Sequence, residues 1–271
     1  MATQIQQAER FLALHHQPHP LLLPNPWDLG SAKLLAWLGF SALATTSSGF
    51  AATVGRLDGE VTRDEAIDHA AAVVRATDLP VSADLENGFS DTAAGVAETM
   101  ELAAVAGLAG CSVEDFTGRE DDPIYDKSLA AERIAAAAEV AASGPIRLVL
   151  TARAENYLHG RPDLADTIAR LQAYQEAGAD VLYAPGLRDL ADIRQVVSSV
   201  DLPVNVLASP GGPPISELAA AGVRRVSVGG SFAFAALGAM VQAATELREQ
   251  GTYGYASLAA VGRAAAMEAF K

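Results

Sequence analysis

The chain has little positive charge. Among its 271 residues, 19 are lysine or arginine and 33 are aspartate or glutamate, which gives a formal net charge of −14 at pH 7. A surface with this balance repels phosphate backbones and anionic lipid headgroups, so we expect neither nucleic acid nor a membrane as a partner. Any anionic small molecule that binds must therefore meet a local cation.

Cysteine and lysine are also scarce. Cys111 is the single cysteine, so an intrachain disulfide and a cysteine-rich metal site are excluded, as is typical of a reducing compartment. The first twenty residues do not read as a signal peptide, and no stretch has eighteen uninterrupted apolar residues, which predicts a soluble cytoplasmic protein. None of the three lysines follows a predicted strand, which disfavours a Schiff-base aldolase.

Short apolar runs alternate with alanine-rich segments of helical period. The runs predict eight strands, at 21–25, 42–47, 80–86, 110–115, 147–153, 180–186, 203–209 and 224–230. The segments predict helices at 62–77, 91–107, 128–142, 163–177 and 187–199, a shorter connector at 214–221, and two further helices at 231–249 and 254–268. Predicted N-caps are Thr62 and either Ser90 or Asp91, and predicted C-terminal stops are Gly107, Gly178 and Gly222.

Eight strand–helix repeats with nearly continuous apolar strands predict a parallel α/β sheet, and the count matches a (β/α)8 TIM barrel with extra C-terminal helices. One domain over 1–271 is the expectation for this length. A doubly wound open sheet is the alternative. It should carry a G-x-G-x-x-G motif after the first strand, and the segment PNPWDLGS there has none.

Polar residues follow most of the predicted strands, where a barrel of this type places its active site. Asp84 and Glu86 are two residues apart, so we expect both to face the barrel mouth, joined there by Glu114 from the next strand. Three such carboxylates repel one another unless protonation or a metal ion relieves the repulsion, and a hard divalent cation is the simplest relief. The pattern therefore predicts Mg2+ or Mn2+, held by one or two acids directly and by the others through water. The alternative is that some of these acids are helix caps or exposed loop residues.

Further candidates lie at the other strand ends. Arg153 can pair with Glu155 or grip a substrate carboxylate, and we favour the substrate role. Backbone N–H groups of the turn Ser47, Ser48 and Gly49 can bind the same anion. The segments 209–212 and 229–230 are either phosphate-binding loops or plain turns. The remaining candidates are His15, His16, His19 and His69, expected at the surface, His159, which can reach the mouth, and Cys111, expected in the core.

Several motifs in a fixed order resemble the isocitrate lyase and phosphoenolpyruvate mutase superfamily, and most closely its shorter phosphonomutase-like members. They are NPWDLGSAKLL, LATTSSGFAATVGRLDG, PVSADLENG, CSVEDFTG, LTARAEN, AGADVLYAPGL and PVNV, and they cover nearly the whole chain. The resemblance implies a barrel whose eighth helix is swapped between subunits, giving homodimers and often homotetramers, with Mg2+ at the mouth.

The resemblance also implies roles for individual residues. The metal would be surrounded by Asp58, Asp84, Glu86 and Glu114, and the substrate carboxylate would be gripped by Ser47, Ser48 and Gly49, with Asn205 at the end of strand seven as a further substrate contact. Catalytic roles would fall to Arg153, on the oxyanion side of the substrate, and to Asp58 and Glu114. Substrates of the superfamily are α-oxo or α-hydroxy acids whose C–C or P–C bond breaks to leave an enolate-like oxyanion.

The chain departs from this pattern in the loop after strand four. Segment 116–125 lacks the Lys-Lys-Cys-Gly-His run of the lyases and the lysine and asparagine of the mutases. Arg119 is either a partial replacement for the missing loop lysine or a solvated loop arginine, and we favour the solvated arginine. Glu86 stands where many members have aspartate. The expected function is that of a Mg2+-dependent lyase acting on a small carboxylate, with oxaloacetate decarboxylation as one reaction that fits this loop. The alternatives are a catalytically weak homologue that binds a carboxylate metabolite and a phosphate-binding barrel enzyme.

Overall fold

A computed structural model describes residues 2–271 and contains the eight predicted strands, all paired in parallel. The sheet order is β1-β8-β7-β6-β5-β4-β3-β2, and the Ala44 N–H donates to the Pro24 carbonyl at 3.1 Å across the remaining gap. The (β/α)8 barrel is therefore confirmed, with a nearly closed wall. The strands are β1 Leu21–Leu23, β2 Leu43–Ala44, β3 Val81–Asp84, β4 Gly110–Glu114, β5 Val149–Arg153, β6 Val181–Tyr183, β7 Val204–Leu207 and β8 Arg225–Ser227.

Helices follow the strands at the predicted places. Three further helices lie earlier in the chain than the first predicted helix. The predicted ones are α4 Arg63–Ala76, α5 Ala93–Val105, α6 Lys127–Ser143, α7 Leu164–Glu176, α8 Leu190–Ser198, α9 Ile215–Ala220, α10 Ser231–Gln250 and α11 Ala256–Ala269. The helices that the periodicity did not predict are α1 Gln4–Leu14, α2 Leu29–Trp37 and α3 Ser47–Thr53.

The helix caps are partly as predicted. Thr62 caps α4 in a reciprocal capping box with Glu65, and Gly107 follows α5 with a φ of 90°, a conformation that suits glycine. The cap of α5 is neither Ser90 nor Asp91 but Thr92, whose hydroxyl accepts from the Gly95 N–H at 3.1 Å. Ser90 instead accepts from the Thr92 N–H and so shapes the turn that leads into the helix.

Helix α1 closes the N-terminal end of the barrel. Its Phe11 is fully buried among residues at the starts of the strands, including Ala109 and Val149. Gly110 makes this possible, because a Cβ there would lie 3.0 Å from the Phe11 ring and 2.5 Å from the Val149 carbonyl oxygen. The floor of the barrel is therefore a packed apolar plug contributed by the first helix.

His15, at the end of α1, is buried in this floor, so its predicted surface position was wrong. Its Nδ1 lies 2.7 Å from the Phe11 carbonyl oxygen and its Nε2 lies 3.3 Å from Nη1 of Arg225. Because a guanidinium only donates, Nε2 accepts and the ring proton sits on Nδ1. Burial and the nearby Arg225 charge lower the pKa of His15 to about 3, so the imidazole is neutral.

The last two helices leave much apolar surface uncovered. Only Ala233 of α10 is buried, and Phe234, Leu237 and Val241 form an exposed stripe at helical spacing. Across residues 2–271, no helix is both long and apolar enough to cross a bilayer.

The buried neutral His15 predicts an acid-sensitive fold. Its folded pKa of about 3 lies below the value of 6.5 for a free imidazole, so its contribution is complete above pH 6.5 and is lost as the pH falls toward 3. In urea titrations between pH 6.5 and 4, we expect the free energy of unfolding of His15→Gln to fall less steeply than that of the wild type, by up to about 1.4 kcal/mol per pH unit. His16→Gln, at an exposed neighbour, should follow the wild type. Parallel curves for wild type and His15→Gln would contradict the assignment.

Candidate active site

A cavity of about 180 Å3 opens at the C-terminal ends of the strands. Its size suits a small metabolite, since sites for drug-sized ligands span about 300–1,000 Å3. Its polar walls include Asn25, Ser47, Ser48, Asp58, Asp84, Ser112, Arg153, Tyr183, Arg225 and Ser227.

Arg153, the last residue of β5, binds three carboxylates at once. Its Nη1 lies 2.9 Å from Asp84 Oδ1, its Nη2 lies 3.0 Å from Glu114 Oε2 and its Nε lies 2.8 Å from Glu155 Oε1. Both readings of this arginine thus have structural support, since it pairs with Glu155 and also lines the cavity. Each terminal nitrogen carries a second N–H that the paired carboxylate need not occupy.

The cluster holds three carboxyl groups and a single guanidinium. Burial raises the pKa of Glu114 well above its usual value and that of Glu155 to about 7, although Arg153 opposes both shifts. Burial alone would lower the pKa of Arg153, but attraction to Glu114, Glu155 and Asp84 outweighs it and raises that pKa. The guanidinium is therefore fixed as a cation, while the surrounding acids compete for it.

Asp84 is held from the opposite side by the start of α3. Its Oδ2 accepts from the Ser47 N–H at 3.3 Å and from the Ser47 hydroxyl at 3.1 Å. The predicted turn at Ser47, Ser48 and Gly49 is the first turn of this helix, which Thr46 caps. Ser47 and Ser48 line the cavity, whereas the buried Gly49 gives its N–H to the Thr46 hydroxyl and does not line it.

Glu86 does not share the cavity wall with Asp84, contrary to the expectation from alternation. Strand β3 ends at Asp84, and Glu86 has a φ of 48°, so the two-residue repeat no longer applies. Its side chain lines a small adjoining recess with Phe50 and His69, and Asp84 lines both this recess and the main cavity. Burial, followed by the charges of Asp84 and Asp58, raises the pKa of Glu86 to about 8.

Asp58 reaches the cavity from the loop after α3 and remains exposed to solvent. Partial desolvation of its carboxyl group raises the pKa of Asp58, and a hydrogen bond with Ser47 opposes the shift. Asp58, Ser47 and Asp84 therefore form one side of the mouth, facing Arg153.

The predicted metal ligands match a hard cation in kind, but they do not converge on one point. Within residues 2–271, no three acidic, histidine or cysteine side chains are grouped closely enough to hold a metal ion. The physical reason is that Arg153 lies between Asp84 and Glu114 and binds both. Carboxylate and hydroxyl oxygens at Asp84, Asp58 and Ser47 fit Mg2+, which commonly uses one or two carboxylates and keeps several waters.

A buried network behind the site positions Glu155, and the sequence analysis missed it. Asp115 accepts from the Glu155 N–H at 2.8 Å, from the Tyr174 hydroxyl at 2.5 Å and from Arg170 Nη1 at 3.1 Å. Asp115 directly follows β4 in the chain, so its position alone gives no sign of these partners. The sequence gives no signal for its partners Arg170 and Tyr174 in α7, because an arginine that becomes buried in a helix looks the same in sequence as one at the surface.

Asn205 lies in the barrel interior, beside the cavity wall rather than on it. Its Oδ1 accepts from Arg225 Nε at 2.9 Å and its Nδ2 donates to the Ser227 hydroxyl at 2.9 Å. Arg225 and Ser227 are the residues that line the cavity here. The sequence could have indicated Arg225 as a cavity residue. Adjacent residues of a strand face opposite sides, so one of Arg224 and Arg225 had to face the barrel interior.

Asn25 occupies the backbone groups that a phosphate would need. Its Oδ1 accepts from the N–H groups of Val228 and Gly229 at 3.0 and 2.9 Å, and its Nδ2 donates to the Thr45 carbonyl at 2.9 Å. Asn25 thus ties β8, β1 and β2 together at the mouth. The segment 229–230 lines the cavity, but the Gly229 N–H is not free for an anion.

The loop after β4 packs at the rim. Phe116 stacks on His159 with ring centroids 3.8 Å apart, and His159 Nε2 lies 3.9 Å from Glu155 Oε2, so His159 does reach the mouth region. Arg119 pairs with Asp91 at 3.5 Å and does not line the cavity. Cys111 is buried beside Met100 as expected, and His69 is half-buried against Phe50 rather than at the surface.

Known proteins resemble this chain in sequence and in fold. The sequence model for phosphoenolpyruvate phosphomutase matches residues 11–248. A 2-methylisocitrate lyase of Halalkalibacterium halodurans is 31% identical over 74% of this chain and 67% of its own. An oxaloacetate decarboxylase of Pseudomonas paraeruginosa is 28% identical over 82% of this chain and 78% of its own. A crystal structure from Burkholderia cenocepacia J2315, provisionally described as a lyase/mutase, has a TM-score of 0.91 and 55% identity over 94% of this chain and 92% of its own. The chain belongs to the phosphoenolpyruvate phosphomutase family, within the isocitrate lyase and phosphoenolpyruvate mutase superfamily.

Proposed function

We propose that the protein is a Mg2+- or Mn2+-dependent enzyme that cleaves a C–C or P–C bond of a small α-oxo or α-hydroxy carboxylate through an enolate-like intermediate. The observation that carries this proposal is the set of three carboxylates around Arg153, beside a cavity of about 180 Å3. Carboxyl groups outnumber the guanidinium here, so a bound cation would relieve their mutual repulsion and let an anionic substrate bind.

Residues on opposite walls of the cavity would have different roles in binding the metal ion and the substrate. Asp84, with Asp58 directly or through water, would hold the metal ion, which when bound polarises a carbonyl oxygen and compensates negative charge on it. Arg153 would donate its remaining N–H groups to the same oxyanion, and Ser47 and Ser48 would orient the substrate carboxylate. Asp58, which lines the cavity, would exchange a proton with the substrate, whereas Glu114 would act by fixing Arg153.

Cleavage of the oxaloacetate type agrees best with the loop after β4. An enolate left by decarboxylation can take its proton from water, so this reaction does not require the cysteine or histidine that segment 116–125 lacks. Relatives named oxaloacetate decarboxylase support this choice. A lyase acting on another α-hydroxy or α-oxo acid uses the same groups.

A protein that binds a carboxylate without turning it over remains the second candidate, favoured by the same loop. A phosphate-binding enzyme has less support, because Asn25 already uses the backbone N–H groups of β8's end. Turnover of a small carboxylate substrate separates the first candidate from the other two. We further propose a cytoplasmic location, supported by the single cysteine.

Oxalate, a planar mimic of the pyruvate enolate, should bind only in the presence of Mg2+. In calorimetric titrations, we expect Asp84→Asn to weaken Mg2+-dependent oxalate binding at least about tenfold, a loss of about 1.4 kcal/mol. Asp68→Asn, on the exposed face of α4, is the matched control and should bind as the wild type does. Equal affinity with and without Mg2+, or in wild type and Asp84→Asn, would exclude the proposed metal site.

Turnover should depend on the geometry of the guanidinium. Against a panel of oxaloacetate, 2-methylisocitrate and phosphonopyruvate, we expect Mg2+-dependent product formation from at least one compound, followed by NMR. Arg153→Lys keeps one charge but cannot serve three carboxylates and the substrate, so kcat should fall by about 10²–10³. The exposed Arg248→Lys is the control. Undiminished kcat in Arg153→Lys would remove the oxyanion role, and no turnover of any compound would favour the binding protein.

We also propose a homodimer or homotetramer in which the partner covers α10, as the family resemblance implies. The exposed stripe of Phe234, Leu237 and Val241 is the surface that supports it. By sedimentation velocity, Val241→Glu should shift the protein toward monomer. Val105→Glu introduces the same charge at an exposed valine of α5 and should not. A wild-type protein that sediments as a monomer at all concentrations would refute the proposal.

A further inference from the structure

A second cation lies beneath the cluster around Arg153, on the floor of the same cavity. Arg225 opens β8 and its residue exposure is 4%, so its guanidinium is almost wholly removed from bulk water. It lines the cavity that Arg153, Ser47 and Asp84 line above it.

The partners of Arg225 are all neutral. Nε donates to Asn205 Oδ1 at 2.9 Å, and Nη1 donates to Thr151 Oγ1 at 2.9 Å and approaches Nε2 of His15 at 3.3 Å. No hydrogen bond within residues 2–271 uses Nη2, and no carboxylate there lies within ion-pair distance of Arg225. A buried charge without a counter-ion is costly. The surroundings of Arg225 therefore differ from the cluster around Arg153, where carboxyl groups outnumber the guanidinium.

Strand tilt connects the two arginines. Hydrogen-bonded register places Arg153 beside Tyr183, Tyr183 beside Asn205, and Asn205 beside Arg225. Because barrel strands are tilted, such a row climbs along the barrel wall. It starts at Arg225, the first residue of β8, and rises to Arg153, the last residue of β5. The cavity thus has a cation at each end of one row of inward-facing side chains.

We propose that Arg225 forms a second anion subsite, which takes the distal carboxylate of a dicarboxylate substrate while the reacting end meets Arg153 and Asp84 at the mouth. The carboxylate would accept from Nη2 and supply the counter-charge that Arg225 lacks. This inference rests on the proposed function for the position of the reacting end. It makes Arg225 a specificity-determining residue, with Asn205 and Thr151 as the groups that hold it in place.

The test compares two ligands that differ by one charge. Malate and its 4-carboxamide are nearly equal in shape, so a preference for malate measures the interaction of the distal carboxylate. In calorimetric titrations with Mg2+, we expect the wild type to bind malate at least tenfold more tightly than the amide. In Arg225→Gln the ratio of the malate affinity to the amide affinity should fall to less than threefold. In Arg225→Lys this ratio should lie between those of the wild type and Arg225→Gln.

Arg224→Gln is the matched control. Arg224 is the preceding residue but faces outward, where its Nη1 donates to the carbonyls of Gln17 and Pro18. This variant should keep the wild-type ratio. A ratio near one in the wild type, or an unchanged ratio in Arg225→Gln, would overturn the subsite.

Oxalate separates the subsite from the proposed function, since its two carboxylates are adjacent and it reports on the mouth. Mg2+-dependent oxalate binding retained in Arg225→Gln, with the malate preference lost, supports both proposals. A malate preference that depends on Arg225 in a protein that does not bind oxalate supports the subsite and refutes the metal site. Loss of oxalate and malate binding together in Arg225→Gln would make Arg225 a structural residue. If that variant does not fold, a crystal structure of the wild type with malate decides, because a carboxylate must lie within hydrogen-bond distance of Nη2.

Discussion

The attraction between Arg153 and three carboxylates is the constraint on which the rest of the site depends. Asp84 comes from β3, Glu114 from β4 and Glu155 from the loop after β5, so one guanidinium joins the ends of three neighbouring strands. Removing one partner of such a buried group leaves uncompensated charge, which costs about 3–5 kcal/mol. The supporting residues follow from this requirement. Asp115, Arg170 and Tyr174 fix the backbone of Glu155, and Ser47 fixes Asp84 from the other side.

Much of the barrel was readable from the sequence, because strands buried on both faces are short continuous apolar runs and their polar ends mark the mouth. All eight strands and the positions of Asp84, Glu114 and Arg153 followed from this pattern. Glu86 did not, since the end of β3 is set by hydrogen bonding to its neighbours and not by the residues themselves. Helix α1 was missed although its sequence is amphipathic, and its docking on the barrel floor was not readable because an amphipathic segment does not reveal which surface it will cover. His15 was misplaced for the same reason.

The two cations of the cavity differ in what surrounds them. Arg153 has more acidic partners than it can neutralise, whereas Arg225 has only neutral ones. The two ends of the cavity therefore differ, with a surplus of carboxyl groups at the mouth and a cation without a counter-ion at the floor. Such a difference would orient a small anion before any reacting group is engaged, so binding energy away from the reacting bond can be used for positioning.

The floor of the cavity has a consequence for the order in which the protein can assemble. His15 and Arg225 are 210 positions apart, and their contact joins the end of the first helix to the start of the last strand. During synthesis, α1 emerges well before β8 but finds its complete docking surface only after β8 has left the ribosome. Contacts of such long range form late, because the chain entropy lost in closing the loop is recovered only at the end. The floor of the barrel therefore cannot form in steps that follow chain order. Arg225 makes its native contacts only when all eight strands are paired.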